Sequence, residues 1–130
     1  MPLYKQESYN IIGACIDVHN ELGFGYHESV YQEALAYEFS LRSIPYQKEA
    51  KLVVTYKGKM LNKYYIADFI CYDKIIIEVK AMSSIIVAHK VQLRNYLKTT
   101  GKSLGLLVNF GARSFQSERL IFSNHNNNSR

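Results

Sequence analysis

Two short stretches of this chain, YYIADFICYD and KIIIEVKA, are apolar runs interrupted by Asp68, Glu78 and Lys80. A charge inside such a run costs several kcal/mol when left unpaired, so each needs a partner or a use. One use is the capture of a hard divalent cation: neighbouring carboxylates hold Mg²⁺ or Mn²⁺ and leave coordination positions for water. A lysine beside them can orient or deprotonate that water, or meet negative charge developing on a phosphate. The competing explanation is an ion pair across neighbouring strands, in which Lys80 merely satisfies Asp68 or Glu78. For an isolated Glu-x-Lys the ion pair is the better account. Here the triplet Glu78-Val79-Lys80 follows Asp68 by one hairpin's length, and a further carboxylate, Glu28, lies upstream.

A helix must deliver Glu28. Residues 8 to 41 read as two helices interrupted at Leu22-Gly23-Phe24-Gly25, because two glycines so close together permit backbone angles that end a helix. At about 100° per residue, Glu28, Gln32, Leu35 and Phe39 share a stripe with Tyr31 beside it, which turns Glu28 inward. Val30, Ala34, Tyr37 and Leu41 make a second apolar stripe, as expected of a helix packed on more than one side. From Pro45 the period becomes alternating. Strands are predicted at about 46 to 57, 63 to 72 and 75 to 80, with turns at Lys57-Gly58-Lys59 and Tyr72-Asp73-Lys74. A helix over about 85 to 99 then places Ile85, Ile86, His89, Gln92, Leu93, Tyr96 and Leu97 on one arc, with Lys90, Arg94 and Lys98 on the other. His89 and Gln92 on the buried arc call for polar groups beneath the helix. Gly101 closes it, an apolar strand runs from Leu104 to Phe110, and residues 119 to 122 suit a short edge strand.

The turn at residues 72 to 74 decides whether the charges meet. With Asp73-Lys74 as a two-residue loop, Asp68 opposes Val79 and Glu78 falls on the other face. With Tyr72-Asp73-Lys74 as a three-residue loop, Cys71 opposes Ile75 and Asp68 opposes Glu78. The second register is expected, with a left-handed residue at Asp73 or Lys74.

At 130 residues and 15.0 kDa the chain suits one domain, taken as residues 1 to 122, followed by a tail, SNHNNNSR at 123 to 130, that has nothing to bury and is expected to be disordered. The net charge of +5 is unevenly spread: residues 1 to 40 carry one basic side chain against six acidic, and the remainder fifteen against five. A basic majority of this kind suits a phosphate-bearing partner. Cys15 and Cys71 read as buried free thiols, no leader-like N-terminus precedes the first helix, and nowhere do eighteen apolar residues stand together, so a cytoplasmic, non-membrane protein is expected. The four histidines lack metal-ligand spacing, and Gly23-Phe24-Gly25 lacks the third glycine and preceding strand of a dinucleotide site.

Taken in order, several motifs resemble the family named for its GxxExxY signature, grouped with the PD-(D/E)xK nucleases. The signature stands as Gly25-Tyr26-His27-Glu28-Ser29-Val30-Tyr31, preceded by His19-Asn20-Glu21-Leu22-Gly23. Asp68, Glu78-Val79-Lys80, the Gln92 and Tyr96 pair, and Leu106-Leu107-Val108-Asn109-Phe110-Gly111 follow it on the expected elements. Ala67 occupies the place of the superfamily's proline. The resemblance, covering about residues 8 to 122, implies an α/β restriction-endonuclease-like αβββαβ core, a mixed sheet flanked by helices. It further implies phosphodiester hydrolysis in nucleic acid, DNA being the expected substrate, with Mg²⁺ or Mn²⁺ as cofactor. Glu28, Asp68, Glu78 and the Val79 carbonyl would ligate the metal, Lys80 would serve the water, and Gln92 and Tyr96 would support Lys80 or a phosphate. The alternative is a non-catalytic nucleic-acid-binding or protein-interaction module on the same fold, with an unidentified protein partner supplying the target.

Overall fold

A computed structural model describes residues 3–123, so most of the tail expected to be disordered lies outside the described residues. Helices α1 (Lys5–Leu22) and α2 (Glu28–Leu41) precede a strand triplet, β1 (Tyr46–Tyr56), β2 (Lys59–Cys71) and β3 (Ile75–Lys80). Helix α3 (Val87–Thr100) leads to β4 (Leu104–Asn109) and β5 (Gln116–Ile121). This is the expected αβββαβ order, with β5 longer than the short edge strand predicted and β2 starting earlier. The sheet order is β1-β2-β3-β4-β5. All neighbours are antiparallel except β3 and β4, whose parallel pairing needs a long crossover that α3 supplies.

The apolar alternation divides the core between the two sheet faces. Ile11, Cys15, Tyr31, Leu35 and Phe39 of the first two helices pack on Phe69, Cys71, Ile75, Ile77 and Val79. Leu93, Tyr96 and Leu97 of α3 pack on the opposite face against Leu52, Ile70, Ile76 and Leu107. The second apolar stripe predicted for α2 is packed only at Ala34: Val30, Tyr37 and Leu41 are exposed, because α2 is held to α1 and the sheet chiefly by its Tyr31, Leu35 and Phe39 stripe. Arg42 ties the pair of helices together by bonding Asp17 and, at 2.8 Å, Glu38. Cys15 and Cys71 are buried free thiols, and burial raises the pKa of both. Among the described residues no helix is long and apolar enough to cross a membrane.

The β2 to β3 turn has the three-residue form. Cys71 pairs with Ile75, Ile70 with Ile76 and Phe69 with Ile77. Left-handed backbone falls at Tyr72 (φ 55°) and Asp73 (φ 59°), so Asp73 was anticipated and Tyr72 was not. A tyrosine in that region stays only where its surroundings over-determine it. Here Tyr72 N–H donates to the Pro45 carbonyl (2.9 Å), Asn10 Nδ2 donates to its hydroxyl (3.1 Å), and Lys74 bonds Glu7 (3.1 Å). The first helix thereby holds the register that brings the acidic residues opposite each other.

Candidate active site

Beyond Phe69 and Ile77 the backbone ladder between β2 and β3 stops, and two side chains take over. The Asp68 N–H donates to Glu78 Oε2 (2.8 Å), and the Val79 N–H donates to Asp68 Oδ2 (2.7 Å). Each carboxylate thus closes the gap left by the parting strands, and each is fixed by an amide of the other strand. A kink marks the same level of β1. Glu49, at the position facing Asp68, is left-handed (φ 55°), and the paired register resumes on either side at Lys48 with Phe69 and Ala50 with Ala67. Regular alternation would put Ala67 and Phe69 on one face. Instead Ala67 packs with the α3 side and Phe69 with the α1–α2 side, so the strand turns over at Asp68.

Glu28 arrives from α2, and the residues of its signature explain how. Gly25 (φ 114°) and Gly23 (φ 69°) give the inter-helix loop angles that other residues rarely adopt. The Tyr31 hydroxyl staples that loop, donating to the Gly23 carbonyl (2.6 Å) and accepting the Tyr26 N–H (3.3 Å), while its ring stacks on Phe110. Glu28, the first residue of the helix, is half-buried near Asp68 and Lys80. One turn on, the Gln32 side chain comes close enough to the Asp68 carboxylate to oppose the rise in its pKa. Gln32 was visible on the same stripe as Glu28 but was not taken as a site residue.

The electrostatics follow from three carboxylates in one partly dry place. Burial raises the pKa of Glu78 to about 8, and Asp68 and Glu28 push it the same way, whereas the Asp68 amide and Lys80 pull it down. Asp68 is raised chiefly by burial, against the stabilising Val79 amide and Lys80. Glu28 is raised by burial, with Lys80 opposing. Lys80 is therefore the shared counter-charge of the cluster rather than the exclusive partner of one acid, and it makes no ion pair within 4.0 Å among the described residues.

Helix α3 closes the other side. Tyr96 is buried, its ring beside Tyr65 (5.1 Å), and burial together with Glu78 and Asp68 holds its hydroxyl up at about 12, so it keeps its proton. His89 Nδ1 is buried without a hydrogen-bond partner, and burial followed by the Lys80 charge lowers its pKa. Gln92 departs from expectation. It is exposed rather than on the buried arc, because the helix contacts the sheet along Leu93, Tyr96 and Leu97, and position 92 lies at the margin of that stripe. On the outer side Lys90 bonds Glu118 (3.6 Å) and Arg94 lies over Phe122.

The segment leaving Lys80 is gripped by Asn109, which is fully buried. Its Oδ1 accepts the Met82 N–H (3.0 Å), its Nδ2 donates to the Met82 carbonyl (2.8 Å) and to Gln116 Oε1 (2.9 Å), and the Phe110 N–H donates to the Lys80 carbonyl (2.8 Å). Gly111 makes room for this clamp, since a Cβ there would lie 2.1 Å from the Met82 nitrogen. Backbone cannot step aside as a side-chain tip can. Gly111→Ala is expected to destabilise the fold by about 1–3 kcal/mol or more, read as a lowered denaturant midpoint; an unchanged midpoint would show that the clamp yields freely. Asn109 is a polar interruption of an apolar run, the same signal that marked Asp68 and Glu78, and it went unused as a site residue.

Among the described residues, no three His, Cys, Asp or Glu side chains are drawn together as a ready metal cage. The donor chemistry nevertheless fits a hard divalent cation. Acidic oxygens that raise one another's proton affinity are those that a bound cation relieves, and the Val79 carbonyl belongs to a residue whose amide already holds Asp68.

The fold and this acidic cluster with its lysine define a restriction-endonuclease-like α/β domain. Residues 5–120 match the family model of the PD-(D/E)XK nuclease superfamily, PDDEXK_3, and the chain belongs to that superfamily. The crystal structure of SSO0001 shares the fold, with a TM-score of 0.51 and 18% identity over 88% of this chain and 76% of that one. Among curated proteins, none matches.

Proposed function

We propose that this protein is a metal-dependent nuclease that hydrolyses phosphodiester bonds in nucleic acid, DNA first among substrates, and that it falls in the GxxExxY branch of its superfamily. The observation that carries the reading is the exchange between Asp68 and Glu78: where the β2–β3 ladder opens, each carboxylate rests on the other strand's amide, with Lys80 two residues further. An ordinary strand ion pair would leave the ladder closed and spend the lysine on one acid.

Glu28, Asp68, Glu78 and the Val79 carbonyl would hold Mg²⁺ or Mn²⁺, which when bound supplies an acidified water and a counter-charge for the phosphate. Gln32, beside the Asp68 carboxylate, favours its charged form. Lys80 orients the attacking water or meets the charge developing on the phosphate, and the Asn109 clamp sets the chain direction from which it reaches. Tyr96, which keeps its proton, offers its O–H to a phosphate oxygen and its hydroxyl oxygen to the Lys80 ammonium. The unsatisfied His89 Nδ1 can be met by water or by that phosphate. Gln92, exposed at the rim, is proposed to contact substrate rather than support Lys80.

Labelled single- and double-stranded DNA and RNA incubated with Mn²⁺, and in parallel with EDTA, test the reading; cleavage confined to the metal arm is expected. Lys80→Ala should lose turnover while retaining Mn²⁺ affinity in calorimetric titration. Lost metal affinity with unchanged turnover would reverse the role given to Lys80. Nucleic-acid binding without any cleavage would return the protein to the class of non-catalytic modules.

A further inference from the structure

The hairpin of β1 and β2 runs past the helices. In its outer part Ala50, Leu52 and Ala67 face α3 and are buried. The alternate residues Val53, Tyr64 and Ile66 lie on the face that α2 covers only nearer Phe69, and they are 41%, 50% and 43% exposed. Val53 pairs with Tyr64 and Lys51 with Ile66, so the four form one continuous patch. Lys51 Nζ sits 4.4 Å from the centre of the Tyr64 ring. Around the patch the hairpin is basic: residues 46 to 67 carry Lys48, Lys51, Lys57, Lys59 and Lys63 against Glu49 alone. The patch begins two residues before Asp68 on the same strand.

We propose that this face is a platform for single-stranded nucleic acid, on which the bases of the strand leading to the proposed site stack over Tyr64 while the lysines take the phosphates. The proposal rests on the nuclease reading for its direction and deepens it by naming the substrate class. Charge complementarity selects the occupant. An apolar protein partner would not need Lys51 beside the ring on a hairpin that carries five lysines against one glutamate, whereas a phosphate backbone does. Stacking selects the strandedness. A half-exposed tyrosine on a sheet face can take the face of an unpaired base, and those faces are hidden in a duplex. Tyr64 precedes Asp68 by four residues, about 13 Å at roughly 3.3 Å per residue. The platform therefore engages a base within a few nucleotides of the scissile bond.

Fluorescence anisotropy in EDTA, where no turnover occurs, reads this directly. The probes are labelled oligo-dT and oligo-U of about ten nucleotides and a matched duplex. Tyr64→Ala is expected to weaken binding of both long single strands about tenfold, the size of one lost base stack. Tyr64→Phe, which keeps the ring, should stay within about twofold of the wild type, as should the duplex with either variant. Lys51→Gln should reduce the dependence of binding on salt. Thermal melting of each variant separates lost stacking from lost fold, and Tyr64→Phe keeps the comparison open if Tyr64→Ala unfolds.

Wild-type protein that does not bind single strands, long strands indifferent to Tyr64→Ala, or a duplex weakened as much as they are would overturn the platform. Its fate is separable from that of the catalytic reading. Tyr64-dependent binding in a protein that cleaves nothing in Mn²⁺ leaves the platform and removes the nuclease; cleavage with Tyr64-independent binding does the reverse.

Discussion

Glu78→Gln and Asp68→Asn should each reduce metal-dependent cleavage by at least roughly a thousandfold, about 4 kcal/mol of barrier, while leaving the fold intact and more stable at alkaline pH. The two effects have one origin. Both carboxylates are held in a site where burial and mutual repulsion disfavour the charge that a cation requires. Removing that charge relieves the fold and removes a ligand together. The amide variants matter because each keeps an oxygen for the amide it now accepts, Asp68 N–H at 2.8 Å or Val79 N–H at 2.7 Å. Alanine would orphan that N–H at a cost of about 1–3 kcal/mol, which offsets the relief and leaves stability near the wild type. Cleavage measured on purified variants, alongside chemical denaturation, checks both halves. Turnover surviving in both amide variants would end the catalytic assignment.

The metal-free protein should lose stability as pH rises from about 4.5 to about 8. Glu78 carries the sign: folding raises it from the ordinary 4.5 to about 8, so the folded state binds the proton more tightly than the unfolded chain. The stability it contributes is complete below about pH 4.5 and is lost as pH climbs through about 8. Asp68 and Glu28, also raised, act in the same direction nearer the acid end. His89 acts oppositely, because its lowered pKa makes the fold lose stability as pH falls below the ordinary 6.5. Glu78→Gln should flatten the decline between about pH 4.5 and about pH 8, seen by calorimetry in EDTA across that range. Added Mn²⁺ should raise the melting temperature more at about pH 8 than at about pH 6, since ligands must release protons to bind a metal. A wild-type profile as flat as that of Glu78→Gln would mean that Glu78 is ionised without strain and the site is wetter than its burial implies.

Much of this was legible from residue order, for a local reason. Apolar alternation and helical stripes are properties of neighbouring residues, so the succession of helices and strands followed from them, as did the break at Gly23 and Gly25. The opposition of Asp68 and Glu78 needed only the parity of the Tyr72-Asp73-Lys74 loop. Where the reading failed, it lacked a partner element. Tyr37 and Leu41 look like a packing stripe, but both are exposed. Gln92 lies on the inward arc of a helical wheel, yet the helix seats along Leu93, Tyr96 and Leu97 and leaves position 92 exposed at its margin.

What the sequence determined by itself was the set of chemical groups and the elements carrying them: three carboxylates, one lysine, a helix start and a hairpin. Only the tertiary structure decided that the β2–β3 ladder opens at Asp68, that Glu49 kinks β1 beside it, and that Gln32 stands beside the acid while Asn109 holds the lysine strand. Those are relations across the fold, from Gln32 to Asp68 and from Met82 to Asn109. They depend on how the sheet twists between its helices, which no pattern of adjacent residues encodes.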